Sequence, residues 1–386
     1  MSITAGEPVR VLRVIARMNV GGPALQITGI MRKIPISNLN QLLVTGYCDE
    51  DEIDYLDLHR DEISFVRIKG LGRSVNLLQD IISFFRIRNV MRDFDPDIIH
   101  THTAKAGLLG RLASLSLAQS HIRIHTFHGH LLWGYFSGFK LRVYILIERL
   151  LARFTTVIVA VGDQVKTDLV SAKIGNANSY RVIPAGLEIN EGLEYKDSLK
   201  TLGLKDESFT IAWIGRVVPV KAPHRILEIA TELIERGHVF RILLAGDGPL
   251  LRELQNSAAA LNLPIYFFGW LKDISPILAV SDICISTSEN EGTPTSLIQA
   301  QMSGLPVVAT DVGSTSQVVE EGVTGFCTQY SSNTFSNRIE DLMTDYRLYS
   351  TMAKSARKRA IKNFSLDRLA KDHLNLYQEM IIESKS

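Results

Sequence analysis

The sequence predicts an α/β protein with two Rossmann-like domains, each built on a doubly wound parallel sheet, that face each other across a cleft. The chain has 386 residues, more than the size at which a single hydrophobic core keeps growing. Its composition, 46% hydrophobic and 22% charged residues, supplies two cores and argues against disorder. Short apolar runs alternate with helical patterns along the whole chain, as they do in parallel sheets with crossover helices.

Two series of short apolar runs predict the strands of the two sheets. Helical patterns, for example at residues 77–92 and 140–153, lie between the runs. Ligands of such folds bind at the carboxyl ends of the strands, so we expect the site in the crevice between the domains. The first series covers residues 9–16, 42–45, 63–68, 98–100, 122–126, 157–161 and 181–183, and the second covers 209–213, 240–244, 265–267, 283–286, 307–309 and 325–327.

A polar segment separates the two series. Residues 186–205 contain glycine and show no strong period, which indicates a linker. We therefore place an N-terminal domain at residues 1–188 and a C-terminal domain at residues 206–364. A last helical pattern occupies residues 365–386.

The net charge of +1 hides an asymmetry along the chain. Residues 69–153 carry 12 Lys and Arg against 5 Asp and Glu. Such a surplus either holds a protein at an anionic membrane face or belongs to an anion-binding cleft and ordinary solvated helices. The near-zero total charge and the lack of a recognition motif argue against nucleic-acid binding.

The cysteines and the hydropathy pattern indicate the compartment. Cys48, Cys284 and Cys327 are odd in number and far apart, so we expect buried thiols and neither a disulfide nor a metal site. The first ten residues do not resemble a leader peptide, and no apolar run approaches the roughly 18 residues of a membrane span. We expect a soluble, cytoplasmic protein.

Residues 289–310 are the most informative stretch for function. Glu291 stands beside Gly292 and Pro294, and Thr295 and Ser296 are expected to cap a helix that Gly304 ends. The N-terminus of that helix carries free N–H groups and a partial positive charge next to a carboxylate and several hydroxyls. These groups suit a ligand that is anionic at one end and rich in hydroxyls at the other, such as a nucleotide-sugar.

Two bases follow the first strand of the second series. Arg216 and Lys221 come after the turn at Gly215, where they could neutralise a diphosphate and stabilise charge on a leaving group. Gly21 and Gly22 close the first strand of the chain. Their spacing is not the dinucleotide fingerprint, so we predict no nicotinamide cofactor.

Six of the ten histidines lie between residues 100 and 130. Pairs such as His100 and His102 place two imidazoles on one face of an extended segment, as a zinc site requires. No carboxylate lies within residues 98–130, however, so we predict no metal site there. We expect His121 and His125 to be structural.

The segment 134–153 combines aromatic and basic residues. One reading is an amphipathic surface for a lipid-linked acceptor. The other is a buried helix, which the fully apolar run at residues 143–147 favours.

Several segments, taken together in order and spacing, resemble glycosyltransferase family 4 (group 1), whose fold is called GT-B. They are residues 14–24, 100–107, 125–130, 215–221, 245–250 and 289–310, and the resemblance extends from residue 11 to about 377. It implies transfer with retention of anomeric configuration and no metal or other cofactor. It also implies that the final helix crosses back onto the N-terminal domain.

The resemblance implies roles for individual residues. The catalytic set would be Arg216, Lys221, Glu291 and His128, with His128 reaching the donor sugar. The acceptor side would hold His102, Lys105 and His130. Donor-binding residues would be Gly21, Gly22, Gly215, Gly246, Gly269, Trp270, Leu271, Gly292, Thr293, Pro294, Thr295, Ser296 and Gln299.

Two positions depart from the family pattern. Gln299 stands where a second glutamate usually grips the ribose hydroxyls, and an amide keeps only one of the two acceptor oxygens. Ala222 stands where glycine is common, which matters only if the backbone there needs a positive φ angle.

The sequence therefore predicts a retaining hexosyltransferase. It would move a hexosyl or N-acetylhexosaminyl unit from a nucleotide diphosphate sugar, expected to be a UDP-sugar, to a glycan or lipid-linked glycan in surface polysaccharide biosynthesis. Its partners would be the donor and the acceptor. Peripheral association with the inner face of the membrane is a further hypothesis that the sequence leaves open. Two alternatives are a nucleotide-sugar epimerase of the same architecture and, because of Gln299, a degenerate non-catalytic partner of an active transferase.

Overall fold

The structure, a computed structural model, describes residues 8–50, 52–129, 138–189, 193–205 and 208–385. It divides into two compact units. Unit 1 comprises Met1–Glu188 and Leu366–Ser386, and unit 2 comprises Ile189–Ser365.

Unit 1 contains a seven-stranded parallel sheet within its described residues. The strands are β1 Val9–Val14, β2 Leu39–Thr45, β3 Phe65–Arg67, β4 Ile98–His102, β5 Ile122–Phe127, β6 Val157–Ala160 and β7 Tyr180–Val182. They are ordered β3-β2-β1-β4-β5-β6-β7. The helices are α1 Gly22–Lys33, α2 Tyr55–Leu58, α3 Leu77–Phe94, α4 Ala104–Leu115, α5 Gly138–Ala152 and α6 Asp163–Ser171, with a 3₁₀ helix at Ala177–Ser179.

Unit 2 contains a six-stranded parallel sheet within its described residues. The strands are β8 Phe209–Ile214, β9 Phe240–Ala245, β10 Ile265–Gly269, β11 Ile283–Ser286, β12 Val307–Thr310 and β13 Gly325–Thr328, ordered β10-β9-β8-β11-β12-β13. The helices are α7 Tyr195–Thr201, α8 Arg225–Glu235, α9 Leu251–Ala260, α10 Ser275–Val280, α11 Thr295–Met302, α12 Thr315–Val318, α13 Ser332–Thr344 and α14 Tyr346–Phe364, with a 3₁₀ helix at Pro219–Lys221.

The last helix, α15 Leu366–Lys385, belongs to unit 1 although it follows unit 2 in sequence. It packs beside α1, and its buried residues Leu369 and Tyr377 join a core that includes Val11 of β1. Alternate β1 residues such as Leu12 face a second core, to which α3 and α4 contribute. The two faces of this sheet are therefore covered by different helices.

The predicted fold class is confirmed, because both sheets are parallel and doubly wound. Each predicted strand coincides with an observed one to within a few residues. The strand order reverses between β1 and β4 in unit 1 and between β8 and β11 in unit 2. These reversals are the switch points at which open parallel sheets bind ligands.

Three sequence-based expectations need correction. Of the three free cysteines only Cys284 is buried, whereas Cys48, in the loop after β2, and Cys327, in β13, are partly exposed. The helix α5 is not buried on all sides, since Leu146 and Leu150 are exposed on its outer face. The helix α11 begins at Thr295 without a side-chain cap, because Pro294 occupies the N-cap position.

None of the helices in the described residues combines the length and apolarity needed to cross a bilayer.

Candidate functional site

The switch point of unit 2 brings together two loops that carry the predicted donor-site residues. Arg216 and Lys221 lie in the loop after β8, and Glu291 lies in the loop after β11. Because β8 and β11 are neighbours in the sheet, both loops leave it at the same edge. Glu289 N donates to Val220 O over 2.8 Å, which joins the two loops directly.

Lys221 and Glu291 form an ion pair at this edge. The distance from Lys221 Nζ to Glu291 Oε1 is 2.5 Å, and the Glu291 side chain is only 8% exposed. Ser288 Oγ also donates to Glu291 Oε1, over 2.7 Å. The carboxylate is thus held from two sides, which fixes its direction.

Hydroxyl groups hold the two loops in register behind this pair. Thr287 Oγ1 shares its one proton between the carbonyl oxygens of Lys221, at 3.0 Å, and Ala222, at 3.2 Å. Trp213 Nε1 donates to the same hydroxyl over 3.1 Å, and Thr310 Oγ1 donates to Ser288 O over 2.6 Å. These bonds come from the strands of the sheet, so the loop positions are set by rigid elements.

Arg216 has the opposite surroundings from Lys221. Its side chain is exposed, and within the part of the chain that the structure describes it forms no ion pair. A guanidinium in this position is available to a ligand at the carboxyl edge of the sheet.

Glycines let the turns after neighbouring strands approach one another. A Cβ atom on Gly246 would lie 1.8 Å from Gly215 O, so the turns after β8 and β9 touch through their backbones. Gly246 N donates to Gly269 O over 2.7 Å, which extends the contact to the turn after β10. Trp270 follows there, and 39% of its surface is exposed, whereas a packing residue would be covered.

Sequence reasoning missed Gly313, which supports Glu291. Its φ angle is +56°, and a Cβ atom there would lie 1.8 Å from Glu291 O. No motif marks this glycine, because the requirement arises only when the loop after β12 packs on the loop after β11.

The helix α11 starts beside Glu291 and has free N–H groups at its first turn. Pro294 adopts an extended conformation at the N-cap, with φ −72° and ψ 92°, and no side chain caps the helix. The expectation that Thr295 and Ser296 cap it is therefore wrong. Thr295 is the first residue of the helix and lies one position past the N-cap. Gly292 and Thr293 lie in the loop just before, and Leu271 lies in the turn after β10.

The helix α11 ends as predicted at Gly304. Gly304 N donates to Gln301 O and Leu305 N donates to Ala300 O, the pattern of a Schellman motif. Gln299 is half-buried on this helix, and its side-chain amide forms no hydrogen bond within the described residues.

Ala222 occupies a left-handed backbone conformation, with φ 42° and ψ 54°. The departure from glycine at this position thus has a physical consequence. An L-residue in this region carries strain of about 1 kcal/mol. The strain lies next to Lys221, in the loop that carries the two bases.

The switch point of unit 1 also gathers predicted site residues. Gly21 and Gly22 follow β1 and open α1, and His102 ends β4. Thr103 follows with φ 62° and ψ 159°, a conformation that a β-branched residue rarely adopts. Its hydroxyl accepts from Ala16 N over 3.3 Å, which joins the turns after β1 and β4.

His102 and His128 form a hydrogen-bonded pair, with 2.9 Å between His102 Nδ1 and His128 Nε2. His102 also stacks on His100, with 4.4 Å between ring centroids. The residue His130, predicted for the acceptor side, lies outside the described residues.

His100 connects this pair to the last helix. Its Nδ1 atom lies 2.7 Å from Tyr377 Oη of α15 and 3.5 Å from Arg13 Nη1. Because a guanidinium only donates, Nδ1 is the acceptor, and His100 Nε2 therefore donates to Thr126 Oγ1 over 2.7 Å. Arg13 thus selects one tautomer of His100.

The histidines of this cluster are uncharged near neutral pH. Burial lowers the pKa of His128 to about 4 and that of His373 to about 3. Burial also lowers the pKa of His100, of His102 and of His125 well below the usual range, and the charge of Arg13 adds to the effect on the first two. His125 is bonded to Thr101 Oγ1 over 2.9 Å and is inaccessible.

Lys105 contacts residues of unit 1. Its Nζ atom pairs with Asp80 at 2.6 Å and donates to the carbonyl oxygens of Gly70 and Ser74. These contacts tie the start of α4 to the first turn of α3 and to the loop that precedes it.

In the described residues no group of three or more His, Cys, Asp or Glu side chains could hold a metal ion.

Two family models match most of the chain. The model described as "Glycosyltransferase Family 4" matches residues 43–191, and the model described as "Glycosyl transferases group 1" matches residues 195–359.

Two bacterial relatives match along most of their length. The UDP-Gal:alpha-D-GlcNAc-diphosphoundecaprenol alpha-1,3-galactosyltransferase of Escherichia coli is 28% identical over 85% of this chain and 86% of its own. The capsular polysaccharide biosynthesis glycosyltransferase CapM of Staphylococcus aureus is 23% identical over 86% of this chain and 90% of its own.

Solved structures share the fold. Anabaena Alr3699/HepE in complex with UDP and glucose superposes with a TM-score of 0.81, at 21% identity, over 96% of this chain and 100% of the other. WaaG, a glycosyltransferase involved in lipopolysaccharide biosynthesis, superposes with a TM-score of 0.73, at 14% identity, over 95% of this chain and 99% of its own. The fold is accordingly the two-unit GT-B type.

Proposed function

Because the chain belongs to the group 1 glycosyltransferases of family 4, we propose that it moves a hexosyl or N-acetylhexosaminyl unit from a nucleotide diphosphate sugar to a glycan or lipid-linked glycan. The single observation that carries this proposal is the grouping of Arg216, Lys221, Glu291 and the start of α11 at the switch point of unit 2. The similar enzymes are transferases, which disfavours the epimerase alternative.

The donor is proposed to be a UDP-sugar. The similar galactosyltransferase of Escherichia coli is named for UDP-Gal, and HepE was solved with UDP and glucose. In this chain the exposed Trp270 after β10 offers a flat surface for the base. Gln299 on α11 would contact the ribose through its amide.

The diphosphate is proposed to lie against the loop after β8 and the N-terminus of α11. Arg216 supplies an exposed guanidinium, Lys221 an ammonium, and α11 the N–H groups of its first turn. As the bond from the anomeric carbon to the phosphate oxygen breaks, negative charge builds on the diphosphate. Fixed positive groups stabilise that charge more than they stabilise the intact donor.

Glu291 is proposed to orient the donated sugar. Its carboxylate is held by Lys221 and Ser288, so that its remaining lone pairs can accept from sugar hydroxyls. The Lys221 ammonium contacts Glu291 and would also contact the diphosphate. This arrangement would couple the position of the sugar to that of the leaving group.

The acceptor hydroxyl is proposed to attack the anomeric carbon on the face from which the diphosphate departs. A bond forms between the acceptor oxygen and the anomeric carbon, the bond to the phosphate oxygen breaks, and the acceptor proton passes to the departing phosphate. This course retains the anomeric configuration. His128 of unit 1, uncharged and bonded to His102, would hydrogen-bond the sugar.

The acceptor is proposed to be lipid-linked, because the name of the Escherichia coli relative gives a diphosphoundecaprenol-linked GlcNAc as the acceptor of that enzyme. The reaction would then take place at a membrane face, proposed to be the cytoplasmic one.

The test is release of free UDP from UDP-sugars with and without acceptor. A transferase releases UDP in proportion to the glycan formed and almost none without acceptor. A hydrolysing epimerase releases it without acceptor. No turnover with any pair of donor and lipid-linked acceptor would contradict the proposal and favour a non-catalytic partner.

A further inference from the structure

The side chains of β4 bond diagonally to those of β5 and of the residue after it. In the register of these parallel strands His100 lies opposite Ile124, and His102 lies opposite Thr126. Each histidine bonds to a residue two positions further along, His100 to Thr126 and His102 to His128. Residues two apart on a strand share one face of the sheet, so the four polar side chains lie on the same side.

The ring of His102 is held in place by that of His100. The two rings stack with 4.4 Å between their centroids and 25° between their planes. Both nitrogens of His100 are engaged, one by Tyr377 and one by Thr126, so this ring cannot turn without breaking two hydrogen bonds. Only 1% of the His102 surface is exposed. The position of the His102 ring is therefore set by the sheet and by α15.

The pair of His102 and His128 leaves one nitrogen on each ring without a partner. His102 Nε2 and His128 Nδ1 are buried, and neither forms a hydrogen bond in the part of the chain that the structure describes. Burial lowers the pKa of both rings, so both are neutral and each carries one N–H proton. One proton lies between the two rings. The other lies on one of the two outer nitrogens, and its position decides what the pair offers to a ligand.

The depth of His102 selects the position of that proton. Buried N–H groups without an acceptor are rarer in proteins than acceptors with a free lone pair. His102 is the more deeply buried ring, so its outer nitrogen, Nε2, is the bare one. His102 Nδ1–H then donates to His128 Nε2 over 2.9 Å, and His128 carries its proton on Nδ1.

We propose that His102 positions His128 for the sugar of the donor, so that His128 donates from Nδ1 to a hydroxyl oxygen of that sugar. His102 is a positioning residue that contacts no ligand and fixes the direction and the tautomer of the His128 ring. The His128 ring is itself only half-buried. This role rests on the proposed function, in which His128 contacts the donated sugar.

Calorimetric titration measures the contribution of the sugar to binding. The full chain is titrated with UDP and with UDP-glucose, UDP-galactose or UDP-N-acetylglucosamine, whichever of the three the unaltered chain binds most tightly. The two ligands share the UDP part, so the ratio of their affinities isolates the sugar contacts. A variant that merely disturbs the fold lowers both affinities alike, whereas a misplaced His128 changes the ratio.

Two substitutions of His102 separate positioning from packing. His102→Phe keeps a ring against His100 but removes the donor to His128. It should weaken binding of the UDP-sugar relative to UDP by about fivefold, the net worth of one hydrogen bond. His102→Asn places an amide N–H where Nδ1 was and should recover most of that loss, although its side chain is smaller. A packing role would not be rescued in this way.

His125→Phe is the matched control. It makes the same ring exchange on the opposite face of β5 and breaks the buried hydrogen bond between His125 and Thr101. The ratio of the two affinities should stay as in the unaltered chain. A shift of the ratio as large as that of His102→Phe would overturn the proposal, because any buried histidine of this sheet would then have the same effect.

A double-mutant cycle tests whether His102 acts through His128. His128→Phe should change the ratio at least as much as His102→Phe does. The double variant should lose no more than His128→Phe alone, because His102 has nothing left to position. Two independent losses that multiply in the double variant would contradict the proposal.

The tautomer is read from a long-range ¹H–¹⁵N spectrum of the imidazole groups, in which the signals missing from His128→Phe identify His128. We expect the proton on Nδ1 and a bare Nε2. A proton on Nε2 would contradict the donor role of Nδ1.

The outcomes distinguish this role from the proposed function. If UDP and a UDP-sugar bind and the ratio is unchanged in His102→Phe, the positioning role is wrong and the transferase proposal stands. If the unaltered chain binds neither UDP nor any of the three UDP-sugars, the proposed function is contradicted, and the positioning role with it.

Discussion

Arg216 and Lys221 are both cations of one loop, yet their surroundings give them different roles in stability. Lys221 pairs with the buried carboxylate of Glu291, whereas Arg216 is exposed. Lys221→Ala would leave Glu291 without its cation, which should lower the free energy of unfolding by about 1–3 kcal/mol. Arg216→Ala should change it by less than about 0.5 kcal/mol. Chemical denaturation measures both.

The control for this contrast is the double variant Lys221→Met with Glu291→Gln, which removes both charges. It should recover most of the stability lost in Lys221→Ala, because the unpaired carboxylate is gone. Equal stability of the two single variants would contradict the ion pair as described.

Gln299 gives a second test at this scale. Its amide is half-buried and unbonded within the described residues. Gln299→Glu should tighten UDP binding by about 5- to 30-fold, because a charged acceptor for ribose hydroxyls is worth about 1–2 kcal/mol more. Gln255→Glu, on the exposed side of α9, adds the same charge elsewhere and should have no effect. Weaker UDP binding by the Gln299 variant would argue against a ribose contact.

The sequence could identify individual residues better than their partners. Arg216, Lys221 and Glu291 stand out by type and by neighbouring glycines. The pairing of Lys221 with Glu291 could not be predicted, because 70 residues separate them and either could have faced solvent. The strained backbone of Thr103 carries no sequence signal, since threonine is an ordinary residue in extended segments.

At the scale of elements, the loop after β12 supports the loop after β11 through Gly313. Gly313→Ala would place a methyl group 1.8 Å from Glu291 O, at a φ of +56°. Gly322 has a similar φ of +71° with open space around it, so Gly322→Ala carries the backbone strain alone. We expect about 1 kcal/mol of lost stability in Gly322→Ala and a larger loss in Gly313→Ala.

Only Gly313→Ala should also weaken binding of a UDP-sugar, by about tenfold or more, because Glu291 moves. Calorimetric titration with the UDP-sugar measures this directly. Equal donor affinity in the two variants would mean that Glu291 does not contact the donor.

The apolar runs were sufficient to predict the strands because parallel strands buried on both faces consist of little else. Helices were harder. The run at residues 143–147 favoured a buried helix, but α5 packs only through the face of Tyr144 and Glu148, and no described element covers the other. The start of α11 was misassigned because a proline with an extended ψ takes the N-cap position itself.

At the scale of the whole molecule, the two units should respond differently to acid. The buried histidines of unit 1 have pKa values lowered from 6.5, to about 4 for His128. Below pH 6.5 these histidines are protonated in the unfolded chain but stay neutral in the folded unit. The stability that is present above pH 6.5 is therefore lost as the pH falls towards 4. The loss is up to about 1.4 kcal/mol per pH unit for each such histidine.

Hydrogen exchange measures this effect in each unit. Amides of β4 and β5 in unit 1 should lose protection between pH 6.5 and 5, after correction for intrinsic rates. Amides of β8 and β9 in unit 2 serve as the internal control, because that sheet contains no histidine. Parallel changes in both units would contradict the description of the histidine cluster.

The division into two α/β halves could be predicted from the alternating pattern and the polar linker. The return of the last helix to the N-terminal domain was implied by the family resemblance. The cluster formed by Arg13, His100 and Tyr377 could not be predicted, because it depends on which side chains of α15 meet the sheet, and His100 and Tyr377 are 277 residues apart in sequence. Periodicity predicts that such a helix has an apolar face. It does not say which sheet that face covers.

The central claim is that a nucleoside diphosphate binds at the switch point of unit 2. Calorimetric titration of UDP into the full chain and into Arg216→Ala tests it most directly, since Arg216 contributes little to folding. We expect saturable binding of UDP to the unaltered protein and an affinity lowered by about 100-fold, some 2–3 kcal/mol, in the variant. Equal affinity in both proteins, or no binding to either, would contradict it.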